Sequence, residues 1–522
     1  MPSLKPDRLP TSPRLWVACT AASLGGLLFG YHVAVLSGVM AFQSFIDCLG
    51  ESEWLQQTLT ALLFVGALIG CQGGGGGRGR PHSATVADVY GRRPALVIAS
   101  CLLLSGSAVI WVTPSPVAPQ GAARIGLVLL LALYRLLCGA GVGLSNAVGP
   151  MYISELAPSG YRGSLVFLYQ LCITVGILAA QTVNVVYGSG DQVRRVDPVL
   201  GGAGMQMQGN WRWPLRWSLL PASLMFFLTT GGYHRLPFVP ESPTFLWARG
   251  EADWAKRVEQ ALGIAPSAAD ATTTAAEEGS VADSPTTSMP VSPDARAPVH
   301  PVSDVAPWRT ALDEAALRQR LWIGFTLQLF QQLSGINAVL FYSVQIFESL
   351  NHHHLGASRA SARSQGALRA SLSVGVVNVL ATLVAAALID RCGRRRLYLA
   401  CTPFMVAGLL MLAVSNRPAL SGVASVSLGL LGVLLFVFFF AISHGPLAIL
   451  LASELYPPAQ RARASAANIS VQMAATLLMG LSFLTLKRHV LGDSGTFMLF
   501  ALAMSYAEWW IWRYVPETRG DP

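Results

Sequence analysis

The residues of this sequence best suited to bind a ligand are uncharged polar side chains inside long apolar runs. In one run, Gln170, Thr174, Ile177, Gln181 and Asn184 follow one another at intervals of four, three, four and three residues. Such intervals place the side chains on one face of a helix. Because lipid supplies no hydrogen-bond partners, a polar face of this kind must look onto a neighbouring helix or a cavity. The pattern therefore predicts either hydrogen bonds between helices or contacts to an uncharged polar ligand.

A second group of amides, Gln331, Gln332 and Asn337, lies in a later apolar run. Gln331 and Tyr342 fall on one face of a regular helix, whereas Asn337 joins them only if the helix unwinds near Gly335. Glycine permits such a break because it lacks a Cβ. Amides offer donors and acceptors without a buried charge, which suits a ligand that carries several hydroxyls.

The sequence lacks the groups that catalysis or metal binding would need. Its eight cysteines are scattered and show neither disulfide nor zinc spacing. The apolar runs contain no nucleophile paired with a base and no cluster of metal ligands. We therefore expect a protein that is not an enzyme and that uses no metal or cofactor.

The elements that must position these residues are membrane-spanning helices. Of the 522 residues, 52% are hydrophobic and only 12% are charged, and this charged share is about half that of soluble domains. Apolar runs of about 20 residues, the length that crosses a hydrocarbon core, occur twelve times. The predicted spans are 14–40, 55–71, 94–113, 125–151, 164–187, 214–233, 320–348, 367–389, 395–415, 423–451, 464–486 and 494–515. The pattern predicts an all-α protein with twelve transmembrane helices and the lipid bilayer as its surroundings.

The positive charges of the chain mark one side of the membrane. The 36 Lys and Arg residues exceed the 27 Asp and Glu residues, which gives a net charge of +9. In a soluble protein this excess would suggest a nucleic-acid partner, but here basic residues cluster at the ends of spans. The clusters are Lys5, Arg8 and Arg14, Arg92 and Arg93, Arg394 to Arg396, and Arg461 and Arg463. We place that side and both termini in the cytoplasm and expect no nucleic-acid partner.

An internal repeat divides the spans into two sets of six. The motif from Asp88 to Arg93 recurs from Asp390 to Arg395, at an offset of 390 − 88 = 302 residues. Glu155, Pro158 and Arg162 recur as Glu454, Pro457 and Arg461, at an offset of 454 − 155 = 299 residues. Two repeats at nearly equal offsets predict two pseudo-symmetric six-helix bundles related by an axis along the membrane normal. The predicted parts are a tail 1–13, a bundle 14–238, a cytoplasmic linker 239–318, a bundle 319–515 and a tail 516–522.

Two segments between the spans are irregular. Residues 265–303 have few large apolar side chains to offset the entropy of ordering, and we predict that they are disordered. The flanks 245–262 and 308–320 are predicted to form short amphipathic helices at the cytoplasmic surface. The five glycines Gly73 to Gly77, with Arg78 and Arg80 after them, interrupt the second span. We interpret this run as a distorted insertion or an error in the gene model.

Several motifs together resemble the sugar porter family of the major facilitator superfamily, across nearly the whole chain. They are Asp88-Val-Tyr-Gly-Arg-Arg93, Pro240-Glu241-Ser242-Pro243, Gln331-Gln332-Leu-Ser-Gly-Ile-Asn337, Asp390-Arg-Cys-Gly-Arg-Arg395 and Pro516-Glu517-Thr518-Arg519-Gly520. The resemblance implies the major facilitator fold and transport of a monosaccharide, such as a hexose, by alternating access. It implies a plasma-membrane location, with an internal membrane as the alternative.

The resemblance also assigns roles to individual residues. The residues that it implies for sugar binding are Gln170, Ile173, Ile177, Gln331, Gln332, Asn337, Tyr342, Asn378 and Gln472. Those that it implies for a cytoplasmic salt-bridge network are Asp88, Arg92, Arg93, Glu155, Arg162, Glu241, Asp390, Arg394, Arg395, Glu454 and Arg461. Such a network would close the inner side and bias the conformational equilibrium. For the amides, hydrogen bonding between helices is the alternative interpretation.

The sequence departs from the family pattern at informative positions. Ile449 and Met473 stand where tryptophans usually offer a flat surface to the sugar, and Thr244 replaces a usual arginine. His32 stands where proton-coupled relatives carry an aspartate that pairs with the equivalent of Arg135. A histidine cannot form that pair, although it can titrate near neutral pH. We therefore favour passive transport over coupling to protons through His32 and Arg135, with proton symport and a non-transporting sugar sensor as alternatives.

Overall fold

The computed structural model of the chain is predominantly helical. It describes residues 12–50, 52–72, 86–113, 121–158, 161–191, 210–233, 236–264, 315–352, 360–417, 423–456 and 461–517. The glycine-rich run at 73–77, the segment 265–303 and most of the predicted helix 308–320 lie outside the described residues.

The first half of the chain supplies six spans and two surface helices. Its membrane helices are α1 (Pro13–Val39), α3 (Glu53–Gln72), α5 (Arg92–Val109), α6 (Ala122–Leu156), α7 (Arg162–Asp191), and the pair α8 (Arg212–Arg216) and α9 (Leu219–Thr230). Shorter elements are α2 (Gln43–Leu49), α4 (Val86–Tyr90), a 3-10 turn (Ile110–Val112) and the antiparallel strands β1 (Gly232–Tyr233) and β2 (Leu236–Pro237). The surface helices α10 (Pro243–Ala248) and α11 (Ala252–Leu262) form where the sequence predicts them.

The second half repeats this plan. Its helices are α12 (Ala315–Leu333), α13 (Ile336–His352), α14 (Ala360–Cys392), α15 (Arg394–Ser415), α16 (Val423–Ile442), α17 (His444–Leu455), α18 (Arg461–Thr485) and α19 (Gly492–Tyr514), with a π-helical turn (Leu486–Val490) after α18. The pairs α12 with α13 and α16 with α17 each form one predicted span in two pieces.

Within the described ranges, nine helices or continuous helix pairs are long and apolar enough to cross a membrane. The other three predicted spans are the sixth, the seventh and the twelfth. The sixth and seventh are each divided into two shorter helices. The twelfth, α19, has full length but carries Asp493, Glu508 and Arg513. The breaks in the sixth and seventh spans and the charged residues of α19 therefore explain why a criterion of helix length and composition finds nine of the twelve predicted spans among the described residues.

Small residues allow α1 and α7 to approach each other closely. A Cβ on Gly30 of α1 would lie 1.9 Å from the carbonyl oxygen of Ile173 on α7. A Cβ on Gly176 of α7 would lie 2.0 Å from the carbonyl oxygen of Leu27 on α1. A side chain at either glycine would force the helices apart, because the atom it meets is backbone. This contact holds α1 against the polar face of α7.

The two halves meet through corresponding helices. Helix α3 packs against α18, and α7 packs against α14. Under exchange of the halves, α3 corresponds to α14 and α7 corresponds to α18, so these two contacts are equivalent. The predicted fold class is thereby confirmed: the chain forms two pseudo-symmetric six-helix bundles, and the polar residues of interest lie on the helices at their junction.

Candidate functional site

The predicted break in the seventh span is present. Helix α12 ends at Leu333 and α13 begins at Ile336. Between them, Gly335 has a φ of 84°, in the left-handed region that favours glycine. A Cβ at this position would also lie 2.5 Å from the ring of Phe500 on α19. Because the chain is broken here, the Asn337 side chain reaches back to the end of α12.

Four of the predicted amides form one hydrogen-bonded network beside this break. Gln331 Oε1 accepts from Gln332 Nε2 at 3.0 Å and from Gln472 Nε2 at 2.9 Å. Gln332 Oε1 accepts from Asn337 Nδ2. The same oxygen accepts from Thr476 Oγ1 at 2.9 Å. These five side chains, which we call the amide network, are all uncharged and join α12, α13 and α18.

Gln331 uses its whole hydrogen-bonding capacity within the protein. Its Nε2 donates to the carbonyl oxygens of His444 and Gly445, each at 2.9 Å. A primary amide has two donor hydrogens and two acceptor lone pairs, and Gln331 engages all four. It therefore fixes Gln332 and Gln472 in place. The buried Oε1 of Gln472 has no partner among the described residues, which leaves it available to a ligand hydroxyl.

Aromatic side chains follow the amide network toward the outer side. The Tyr342 hydroxyl donates to the carbonyl oxygen of Gly480 at 3.2 Å, and its ring stacks on Phe483 with centroids 5.2 Å apart. The neighbouring Phe341 contacts Phe64 of the other half, with ring centroids 5.3 Å apart. These rings close the junction beside the amides.

Other residues predicted to bind sugar lie on flanking helices. Gln170 is half-buried on α7. Ile173 and Ile177 of the same helix face α1, where their backbone approaches Gly30. Asn378 on α14 is 5% exposed, and its carbonyl oxygen accepts from the Thr382 hydroxyl at 2.7 Å. No hydrogen bond in the described ranges joins these four positions to the amide network, so their contact with a ligand stays a prediction.

Each half carries an ion pair at the end that the sequence predicts to be cytoplasmic. Arg92 Nη2 lies 2.8 Å from Glu155 Oε1, which joins α5 to α6. Arg394 Nε lies 3.3 Å from Glu454 Oε1, which joins α15 to α17. These are equivalent pairs, and each one connects helices of the same half. The side chains of Asp88, Arg162, Asp390 and Arg461 lie outside the described part of the chain.

A carboxylate caps the helix that follows each Gly-Arg-Arg motif. Glu241 accepts from the backbone N–H of Arg92 at 2.8 Å and of Arg93 at 3.2 Å. Glu517 accepts from the backbone N–H of Arg394 at 3.0 Å. Each carboxylate thus meets the positive end of a helix dipole, at α5 or α15. Burial raises the pKa of the Glu241 carboxyl, against the opposing effect of its N–H donors and of the Arg92 charge.

Among the arginines of the second motif, Arg395 has a further role. Its Nη2 donates to the carbonyl oxygen of Trp512 at 2.6 Å, near the end of α19. This bond satisfies a carbonyl that the helix leaves without an internal partner. The motif therefore ties the start of α15 to the last span.

His32 and Arg135 lie together in the first bundle, but they interact through the backbone. Arg135 Nη1 donates to the carbonyl oxygen of His32 at 2.9 Å, and its Nε donates to that of Leu59 at 2.9 Å. The His32 ring nitrogen Nδ1 lies 3.1 Å from the Tyr134 hydroxyl, and both His32 and Arg135 are buried. The guanidinium is thus held by carbonyl oxygens at the position where the sequence comparison expects a carboxylate.

The outer ends of the two halves are in contact. Arg488 Nη1 lies 2.5 Å and His489 Nε2 lies 3.4 Å from the carboxylate of Glu53, which joins the turn after α18 to the start of α3. Nearby, the amide of Gln57 and the hydroxyl of Thr485 are 3.1 Å apart. Together with the contact of Phe64 and Phe341, these pairs close the junction at the end opposite the Arg92 and Arg394 motifs, which is the outer side in the predicted topology.

The sequence matches a family model described as "Sugar (and other) transporter" over residues 18–522. The chain belongs to this sugar transporter family. The chain is therefore a multi-pass membrane transporter and not an enzyme.

Similar proteins cover nearly the full length of this transporter. The glucose transporter GlcP of Staphylococcus epidermidis is 30% identical over 95% of this chain and 93% of its own. The galactose-proton symporter of Escherichia coli K12 is 28% identical over 99% and 95%. A solved structure of the xylose transporter XylE from E. coli, in a partially occluded inward-open conformation, superposes with a TM-score of 0.68 at 26% identity and covers 98% of this chain and 100% of that one.

Two residues of the transporter's polar contacts were not predicted from the sequence. Thr476 lies one helical turn after Gln472, and this interval of four residues was a signal that could have identified it. Glu517 lies in a recognised motif, and its role as the helix-capping counterpart of Glu241 is visible only in the structure. Ile449 is half-buried and Met473 is fully buried, and neither offers a flat ring to a sugar.

Proposed function

We propose that this protein carries a monosaccharide, such as a hexose, across the membrane by alternating access. The observation that carries the proposal is the uncharged amide network at a broken helix near the junction of two bundles. Amides can replace the water that sugar hydroxyls lose on leaving solution, and they do so without a buried charge. The relatives named for glucose, galactose and xylose support a sugar of this size.

Alternating access follows from the way the bundles are held. The ion pairs of Arg92 with Glu155 and of Arg394 with Glu454 connect helices within each half, so each bundle can move as a unit. The outer contacts through Glu53 and Phe64 connect the halves to each other and must separate when the outer side opens. Rocking of the bundles about the amide network would expose it to each side in turn.

We favour passive transport over proton symport. Arg135 is occupied by two carbonyl oxygens, which do not change their charge between pH 5 and 8. A protonation step at His32 would therefore have no carboxylate partner of Arg135 to neutralise. The galactose and xylose relatives that are named proton symporters make coupling the alternative.

Uptake of radiolabelled hexose into vesicles, with and without an imposed proton gradient, tests the proposal. We expect saturable uptake that stops at equal concentrations and is unchanged by the gradient, because in the described part of the chain Arg135 is bonded to carbonyl oxygens and not to a carboxylate. Gradient-driven accumulation would instead establish symport. Binding of hexose without uptake would contradict transport and favour a sensor.

The outer ion pair of Glu53 gives a second prediction. Replacing Glu53 with Gln is expected to weaken closure on the outer side and to raise the apparent affinity for an inhibitor added outside. The groups are 27% and 49% exposed, so the effect should be at most about fivefold, in line with about 0–1 kcal/mol for an exposed pair. The difference should shrink in high salt, because screening already weakens the wild-type pair. An effect that salt does not alter would show that the ion pair is not its cause.

We propose the plasma membrane as the location, where a hexose carrier would exchange sugar between the cytoplasm and the medium. The cytoplasmic side is the one that carries the Arg92 and Arg394 motifs. Immunodetection of an epitope in the cytoplasmic linker after permeabilisation only, together with surface biotinylation, would support this. Labelling confined to an internal membrane would contradict it.

A further inference from the structure

The closed outer junction contains amide groups whose hydrogen-bonding capacity is unmet. Gln181 is 1% exposed, and neither its Oε1 nor its Nε2 has a partner among the described residues. Asn184 donates to the carbonyl oxygen of Val35 at 3.1 Å, while its buried Oδ1 has no partner in the same ranges. The buried Oε1 of Gln345 is also without one. Unmet buried groups of this kind are uncommon and require an explanation.

Gln181 and Gln345 face the other half, whereas Asn184 faces α1 of its own half. Gln181 of α7 lies against α14, where a Cβ on Gly375 would be 2.0 Å from its Oε1. Asn184 lies beside α1, and Gln345 of α13 has its Nε2 3.9 Å from the sulfur of Met40 at the outer end of α1. Both halves therefore contribute amides near the outer end of the junction, and we call Gln181, Asn184 and Gln345 the outer amides.

The outer amides lie above the site described so far. Gln181 follows Gln170 by eleven residues on the same helix, which places it about 16 Å nearer the outer surface. The segment of α7 between them connects the two levels. A ligand that approaches from outside would thus meet the outer amides before it meets the amide network.

Closing the junction is energetically unfavourable for these groups. A buried amide that loses water without gaining a partner costs about 1–3 kcal/mol. When the halves separate on the outer side, water or a hydroxylated ligand can supply the missing bonds. The outer amides therefore favour the open outer state and are free to bind in it, whereas Gln331 has no capacity left in this conformation.

We propose that Gln181, Asn184 and Gln345 form an outer subsite for a neutral polyhydroxylated sugar, occupied when the junction opens to the outside. The proposal rests on the transport function proposed above. All three groups are uncharged and can donate and accept, as sugar hydroxyls require. Gly375 contributes to the subsite because it has no side chain, which leaves room for the Gln181 amide.

The test compares inhibition from the two sides of the membrane. Hexose uptake is measured in right-side-out and inside-out vesicles, with an impermeant disaccharide of the transported hexose added outside. For Gln181→Leu we expect the inhibition constant at the outer face to rise about three- to tenfold, the value of one lost hydrogen bond. The constant at the inner face should fall by a smaller factor, because loss of an unpartnered buried amide also stabilises the closed outer state. Thr182→Val, at an exposed position next in the chain, is the control and should alter neither.

Other outcomes separate this proposal from simpler explanations. If the outer constant rises by no more than the factor by which the inner constant falls, Gln181 acts only on the conformational equilibrium, and the subsite is wrong. Unchanged constants at both faces would also overturn it, while leaving the transport function intact. A wild-type protein that takes up no sugar would contradict the proposed function itself. If Gln181→Leu does not reach the membrane, Gln345→Leu should show the same larger effect at the outer face than at the inner face.

Discussion

Replacing both Gln331 and Gln332 with Leu is expected to abolish hexose uptake, with a loss of about a hundredfold or more. The double change removes the acceptors of Gln472 and Thr476 and the donor to the His444 carbonyl. The change removes the ligand donor of Gln332 and the support that positions Gln472. A net loss of about 0.5–1.5 kcal/mol for each hydrogen bond to the sugar reaches about 2.7 kcal/mol when two or three are lost, which corresponds to a hundredfold change. Initial rates of radiolabelled uptake, normalised to the amount of protein at the membrane, measure the loss.

The same helix supplies a matched control for this experiment. Gln328 lies one turn before Gln331 on α12 and is fully buried, but neither atom of its amide has a partner in the described ranges. Gln328→Leu makes the same change of side chain without breaking a hydrogen bond, so uptake should remain near the wild-type rate. If the double variant keeps its uptake, the amide network is not the binding site. If Gln328→Leu is equally inactive, the loss reflects packing of α12 rather than the network.

The sequence predicted the fold well because the bilayer restricts the possible structures. The hydrocarbon thickness fixes the length of a span, and the observed helices match the predicted runs to within a few residues at most ends. Helix α6 extends over Ala122–Leu156, beyond the predicted 125–151, because a helix continues into water where no apolar pattern marks its end. The repeat at offsets near 300 residues likewise required the equivalent packing of α3 with α18 and α7 with α14.

The site was predicted less completely, for a physical reason. The break at Gly335 is a local property, and the structure has it where the spacing of Gln331 and Asn337 required one for the two residues to meet. Which amides meet each other depends on how α12, α17 and α18 pack, and no local pattern encodes this. The saturation of Gln331 by two carbonyl groups of α17 is therefore visible only in the structure. For the same reason, the sequence alone does not show that the Gln181 amide lacks hydrogen-bond partners, because Gln181 and Gln170 have the same residue type on the same helix face.

Gln331 and Gln332 differ in how many of their hydrogen-bonding groups have partners, and this difference implies different roles. All hydrogen-bonding groups of the Gln331 amide are occupied, and its bonds connect α12 to α17 and to α18. Gln332 donates only one described bond, to Gln331, which leaves its second hydrogen for a ligand. The position of Gln332 depends in turn on the break at Gly335, since Asn337 can reach its Oε1 only across that break. The glycine thus connects backbone geometry directly to ligand binding.

Replacing Gly335 with Ala is therefore expected to impair both stability and uptake. The left-handed conformation costs an ordinary residue about 1–2 kcal/mol, and the new Cβ would lie 2.5 Å from the ring of Phe500, which adds about 1–3 kcal/mol of overpacking. Thermal unfolding of the purified protein should occur at a lower temperature than in the wild type. The KM for hexose should rise, because the amides of Asn337 and Gln332 no longer align.

Gly492 provides the control that separates these two contributions. Its φ is 69°, but a Cβ there would meet nothing within 4 Å. Gly492→Ala should therefore show only the backbone cost and leave the KM unchanged. Adding Phe500→Leu to Gly335→Ala should recover part of the lost stability, because the smaller side chain removes the clash and leaves the backbone cost. Equal losses in the two glycine variants, with no recovery in the double variant, would show that contact with Phe500 does not determine the geometry of the break.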